Sequence, residues 1–124
     1  MSVDLTILPT RGDLCSNDSN INFAHNLLWL DVDYDLWDAI NLLANKTSTA
    51  VPENFTSYIG TDEEGETCYG KMQTTDAYDN PLRAVNANAL GNLKRFSKST
   101  EVNNAVGCYL RALPADWVCV LYWH

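Results

Sequence analysis

The chain has 124 residues, 46% of them apolar and 19% charged, with a formal net charge of −8. That composition belongs to folded globular chains and not to disordered ones, and a domain of this length buries about two-thirds of the surface its unfolded form exposes, so neither a metal nor a disulfide is needed to hold it. No apolar run approaches the ~20 residues that span a bilayer, and Met1-Ser2-Val3-Asp4 lacks the basic start of a signal peptide, so the expected setting is the cytoplasm, that of a host cell if the source is viral.

The charge is unevenly placed. Residues 1 to 82 carry fourteen acids against Arg11, Lys46 and Lys71, a balance of −11, whereas residues 83 to 124 carry Glu101 and Asp116 against Arg83, Lys94, Arg95, Lys98 and Arg111, a balance of +3. Phosphate neutralisation needs a broad basic face, so nucleic acid is not an expected partner; a basic protein is.

Val3 to Leu8 alternates apolar and polar residues and ends at Pro9, which predicts a first strand packed on one face. Residues 9 to 26 form a long polar connection, of the kind that either carries function or lacks fixed structure. Arg11-Gly12-Asp13 spells an adhesion tripeptide, and residues 17–19, 45–47 and 54–56 are formal glycosylation sequons; without a secretory route the first is a turn and the others are chance. Residues 26 to 30 are too few to separate a short strand from the approach to a helix.

From Asp33 the pattern clears. Leu36, Trp37, Ile40, Leu43 and Ala44 recur at helical spacing opposite Asp35, Asp38, Asn41 and Asn45, predicting a helix over 34–46 with Asp33 as N-cap. Acids at a helix start complement its partial positive charge, which explains Asp31, Asp33, Asp35 and Asp38. A calcium loop starting at Asp31 would need glycine where Leu36 stands and glutamate where Leu42 stands, so no metal is expected. After Pro52, residues 55–59 and 67–72 predict a hairpin around an acidic tip carrying Asp62, Glu63, Glu64 and Glu66. Such a tip is ordinarily a solvated turn; beside Asp31, Asp35 and Asp38 it would extend one anionic face able to dock on a basic partner.

Residues 74–81 read as turn, and 82–85 as extended. Asn86 or Asn88 then caps a predicted helix through Phe96, with Ala89, Leu90, Leu93 and Phe96 as its buried stripe and Gly91 weakening it. A further helix starts at Ser99, its expected buried face formed by Val102, Ala105, Val106, Tyr109, Leu110 and Leu113, and stops before Pro114. Between them lies the one basic cluster, Lys94, Arg95 and Lys98. Cations suit a helix end, and the cluster is also a candidate anion site beside the amides of the following helix. Finally, Trp117 to His124 is apolar on both alternating faces, which predicts a central strand covered on both sides.

The fold class expected from these elements is a single α+β domain over 1–124: a mixed or antiparallel sheet of about four to five strands, about three helices and the last strand central. Cys15, Cys68, Cys108 and Cys119 make no C-x-x-C pair and are expected to be free buried thiols. Neither His25 nor His124 sits in a catalytic motif, and Cys119 and His124 fall on opposite faces of one strand, so no catalytic residue and no cofactor is expected. The leading expectation is a non-catalytic accessory or inhibitor protein. In its size, its acidity and its lack of catalytic motifs, the chain resembles phage anti-defence and toxin-immunity proteins, a likeness of texture that assigns no residue a role. The alternatives are a small-ligand binder, with some of Trp29, Trp37, Tyr58, Tyr69, Tyr78, Phe96, Tyr109, Trp117, Tyr122 and Trp123 lining a pocket within one chain or between copies of a homo-oligomer, and a small enzyme without a recognisable motif.

Overall fold

The computed structural model describes residues 3–10, 28–50, 56–57, 71–72 and 75–124. Strands β1 (Leu5–Thr10), β2 (Leu28–Trp29), β3 (Thr49–Ala50), β6 (Arg83–Asn86) and β7 (Val118–Trp123) form one antiparallel sheet in the order β2-β1-β7-β6-β3. β4 (Thr56–Ser57) and β5 (Lys71–Met72) pair antiparallel as a separate two-stranded sheet. Helices α1 (Tyr34–Thr47), α2 (Ala87–Gly91) and α3 (Glu101–Ala112), with a 3-10 turn at Lys94–Lys98, complete the α+β domain. The strand 118–123 is the middle one of its sheet, as its two apolar faces predict.

Register sorts the side chains. Leu5, Ile7, Val85, Cys119, Leu121 and Trp123 share the face on which Leu36, Trp37 and Ile40 of α1, Leu90 of α2 and Leu110 of α3 pack. The opposite face, with Thr6, Leu8, Ala84 and Val120, is buried as well. β1 therefore differs from its expected form in two respects, being covered on both faces and continuing through Pro9 to Thr10. The reason Pro9 is tolerated lies in the ladder. Asp4 and His124 exchange both backbone hydrogen bonds, at 2.8 and 2.9 Å, so the even residues of β1 bond to β7 and the odd ones point the other way. β2 pairs with Thr6 and Ile7, so among the described residues no strand lies opposite the N–H that Pro9 lacks.

Two expectations about the second half of the chain are corrected. The helix expected from Asn86 or Asn88 through Phe96 ends at Gly91; Asn86 is its N-cap, accepting from the Ala89 amide at 2.9 Å, and Leu93 is extended before the 3-10 turn begins. The buried face of α3 is Asn103, Val106, Gly107 and Leu110, while Val102, Ala105 and Tyr109 are exposed. Close approach explains both. A Cβ on Gly91 would lie 2.7 Å from the Gly107 carbonyl oxygen and 2.8 Å from the Arg111 amide nitrogen, and a Cβ on Gly107 would lie 2.8 Å from that of Phe96. α3 is thus rotated to present its glycine, and Asn88 closes the arrangement by donating to the Leu110 and Leu113 carbonyls at 3.1 and 2.9 Å.

Gly91→Ala is consequently expected to destabilise the fold although alanine gains about 1 kcal/mol in helix propensity. The blocking atoms are backbone and cannot swing aside, so a net loss of about 1 to 3 kcal/mol is expected. Urea denaturation measures it, and an unchanged midpoint would show that the two helices separate without cost.

Candidate functional site

Two arrangements of side chains stand out, and they divide the residues singled out by the sequence. The first joins the start of α1 to the start of α3. Asp33 caps α1, its Oδ1 accepting from the Leu36 amide at 3.1 Å. Its Oδ2 accepts from Arg95 Nε and Nη2 at 3.2 and 3.1 Å and from the Ser99 hydroxyl at 2.6 Å. Asn103, fully buried, reads the backbone of Asp31 as a strand would: Oδ1 accepts from the Asp31 amide at 2.8 Å and Nδ2 donates to the Asp31 carbonyl at 2.9 Å. The same Nδ2 donates to Ser99 Oγ. Thr100, the N-cap of α3, accepts from the Asn103 amide and donates to Asp31 Oδ2 at 2.7 Å.

Arg95 of the basic cluster is therefore brought against the acidic run 31–35, from which it is far in sequence. Arg95 is held by Asp33, with Asp35 3.7 Å from the same guanidinium. Lys94 and Lys98 are exposed. Asp31 is exposed but engaged by Thr100; Asp35 projects with 77% of its side chain accessible, and Asp38 is exposed one turn further on. Asp62, Glu63, Glu64, Glu66, Cys15, Cys68 and His25 lie outside the described residues.

Burial by itself would raise the Asp33 pKa. The Ser99 hydroxyl, the Leu36 amide and the Arg95 hydrogen bond and charge outweigh it and hold the carboxyl below its ordinary value. A depressed folded-state pKa stabilises the fold fully above the unfolded value of about 3.9 and loses that contribution as pH falls through the lower folded value. Asp33→Asn keeps the capping oxygen and removes the charge. It is expected to cost about 1 to 3 kcal/mol near neutrality, a typical range for losing hydrogen bonds to a charged group. The deficit should shrink toward zero below about pH 3.9. Urea midpoints at pH 7, 5, 4 and 3 check it, and a deficit independent of pH would assign it to packing.

The second arrangement is a groove of about 490 Å³ on the helix-covered face of the sheet. One wall is α1, where Tyr34, Trp37, Asp38, Asn41 and Ala44 follow helical spacing. The other is the turn carrying Asp76, Tyr78, Asn80 and Pro81, with Leu121 and Trp123 of β7 between the two walls. Trp37 is fixed by its Nε1–H donating to the Val3 carbonyl at 2.8 Å, and its ring meets that of Trp123 edge-to-face at 5.8 Å. The turn is built by Asp76, whose Oδ1 accepts from the Tyr78 and Asn80 amides at 2.8 and 3.1 Å. Asp79 takes a left-handed φ of 62°, a conformation aspartate tolerates, and the Ala77 amide ties the turn to the Trp123 carbonyl at 3.1 Å.

Of the aromatic residues expected to line a pocket, the groove takes Trp37, Tyr78 and Trp123. Reading the sequence missed Tyr34, Asn41, Asp76 and Asn80. The alternation at 34, 37, 38 and 41 of aromatic and polar residues on one flank of α1 was the available signal.

The thiols also divide. Cys119 is buried, and burial pushes its thiol up to about 12, so it stays protonated near neutrality. Cys108, contrary to expectation, is exposed, because the rotation that buries Gly107 turns it outward; Arg111 Nη2 donates to its sulfur at 3.0 Å. His124 lies on the sheet face opposite Cys119, its Nε2 2.8 Å from the Thr6 hydroxyl and its ring 5.5 Å from that of Trp29. Among the described residues no three His, Cys, Asp or Glu side chains gather in a way that could hold a metal ion, and no helix is long and apolar enough to cross a membrane. No family model, curated protein or solved structure matches the chain.

Proposed function

We propose that this α+β protein is a non-catalytic binding protein, of the accessory or inhibitor type, that docks the acidic flank of α1 on a basic partner protein. The observation that carries the reading is the clustering of exposed Tyr34, Asp35 and Asp38 in the first turns of α1, Tyr34 and Asp38 also lining the groove. Carboxylates steer a basic partner and fix its orientation, and an exposed aromatic beside them supplies the apolar anchor that charge alone lacks. The test is capture of a partner by the immobilised protein at low and moderate salt, followed by cross-linking to locate the contact. Capture should weaken with salt and with the pair Asp35→Lys and Asp38→Lys, and the cross-links should fall on α1. Capture indifferent to both would sink the reading.

The groove itself favours one alternative, sequestration of a small ligand, since its volume falls within the range of ligand pockets and its walls are aromatic. A thermal-shift screen of metabolites decides it: a true ligand at about 100 times its Kd stabilises by about 2.7 kcal/mol.

A further inference from the structure

The groove is lined by a buried carboxylate, Asp76, one of whose oxygens takes no hydrogen bond from the described residues. Asp76 is only 7% exposed, and both hydrogen bonds to its side chain fall on Oδ1. Among the described side chains and amides Oδ2 accepts no hydrogen bond, and no described Lys or Arg side chain forms an ion pair with the carboxylate. A buried carboxylate oxygen without a donor is unfavourable, and a donor supplied from outside removes the deficit.

The rest of the groove specifies what kind of donor fits. Asp38 adds a second carboxylate at the α1 wall. The one cation among the described lining residues, Arg83, donates through Nη1 to Asn45 at 2.7 Å, roughly two helical turns along α1 from Trp37. The aromatic lining residues are Tyr34 and Trp37 on the α1 wall, Tyr78 on the turn and Trp123 between them, and the electron-rich faces of such rings attract guanidinium and ammonium groups. An anion would meet two carboxylates and aromatic faces. A neutral apolar group would leave Oδ2 unpaired. A cation on a slender apolar stem satisfies the oxygen with its head and the rings with its stem.

We infer that the groove is a subsite for one cationic side chain, arginine or lysine, projecting from the basic partner. The inference rests on the docking reading above and names where that partner inserts. Asp76 Oδ2 receives the cationic N–H, Asp38 supports it from the rim, and the exposed rings of Tyr34 and Tyr78 form the surface on which the stem and head lie.

The experiment uses the full chain and three probes: a short capped peptide with a central arginine, the same peptide with citrulline in its place, and free arginine amide. Citrulline keeps the shape and removes the charge, so the control does not depend on any variant folding. Titrations are followed by NMR at the indole N–H groups of Trp37 and Trp123, up to a peptide concentration on the order of 10 mM to reach weak binding. The arginine peptide should shift those signals and the citrulline peptide should not. Asp76→Asn preserves an Oδ1 that can accept from Tyr78 and Asn80 and replaces Oδ2 with an amide nitrogen, so it should weaken the arginine peptide at least tenfold with an unchanged melting temperature. Equal shifts from arginine and citrulline, or no shift at the highest concentration, overturn the subsite. Arginine amide binding as tightly as the peptide assigns the groove to free small cations and overturns the partner side chain. Partner capture that is lost in the Asp35→Lys, Asp38→Lys pair but untouched by Asp76→Asn overturns the subsite and leaves the docking reading standing. Capture indifferent to both variants sinks the docking reading, and a charge-specific peptide shift then leaves only a free cation for the groove.

Discussion

A chain ending at Cys119 is expected to show no cooperative unfolding transition. The residues removed include Val120 and Leu121, both fully or almost fully buried and each paired to β1 on one side and β6 on the other. Their burial alone is worth about 3 to 6 kcal/mol, and the total stability of a domain is about 5 to 15 kcal/mol. Their loss also strips Leu8 and Ala84 of the neighbour between them, and removes the His124 backbone that exchanges two hydrogen bonds with Asp4. Far-UV circular dichroism during heating is the measurement. A sigmoidal transition in the shortened chain would mean that β1 and β6 hold their places without a strand between them.

The second large effect is expected at Asn103→Ala. Asn103 satisfies the amide and carbonyl of Asp31 and the hydroxyl of Ser99 from a fully buried position. Its removal leaves two backbone groups of Asp31 without partners, at about 1 to 3 kcal/mol each where they stay dry. An overall loss of about 3 kcal/mol is expected. Asp31→Ala, which forfeits only the Thr100 contact at an exposed carboxylate, should cost less than about 1 kcal/mol. Urea denaturation of the two variants side by side is decisive, because equal losses would place the effect in the carboxylate and not in the buried amide.

Asn103 also shows where reading the sequence stops. Helix α1 was legible because its apolar residues keep one phase and Asp33 stands where an N-cap belongs. The strand 118–123 was legible because both of its faces are apolar and both are covered. In α3 the same logic found Val106 and Leu110 but set the rest of the buried face too far round the helix. Hydropathy puts Val102 and Tyr109 inside and Asn103 outside, but the contact that matters is the approach of Gly107 to Phe96, and a buried asparagine costs little once all its polar atoms are bonded. The helix expected to reach Phe96 failed for the same reason, since Gly91 is spent on the crossing and not on helix length. The groove was not legible as a unit. Its walls come from α1, from the turn around Asp76 and from β6 and β7, and Asp76 in sequence is one more turn-forming acid.

The sheet order sets a timetable for synthesis. β1 is complete at residue 10, but the strand beside it on the way to β6 is not made until residues 118–123. At the usual translation rates of about 5 to 20 residues per second, that interval is roughly 5 to 20 s. For its duration β1, joined from residue 86 onward by β6, has an edge awaiting the strand that will lie between them, and a ribosome-bound chain stalled before residue 118 should be a ready client for chaperones.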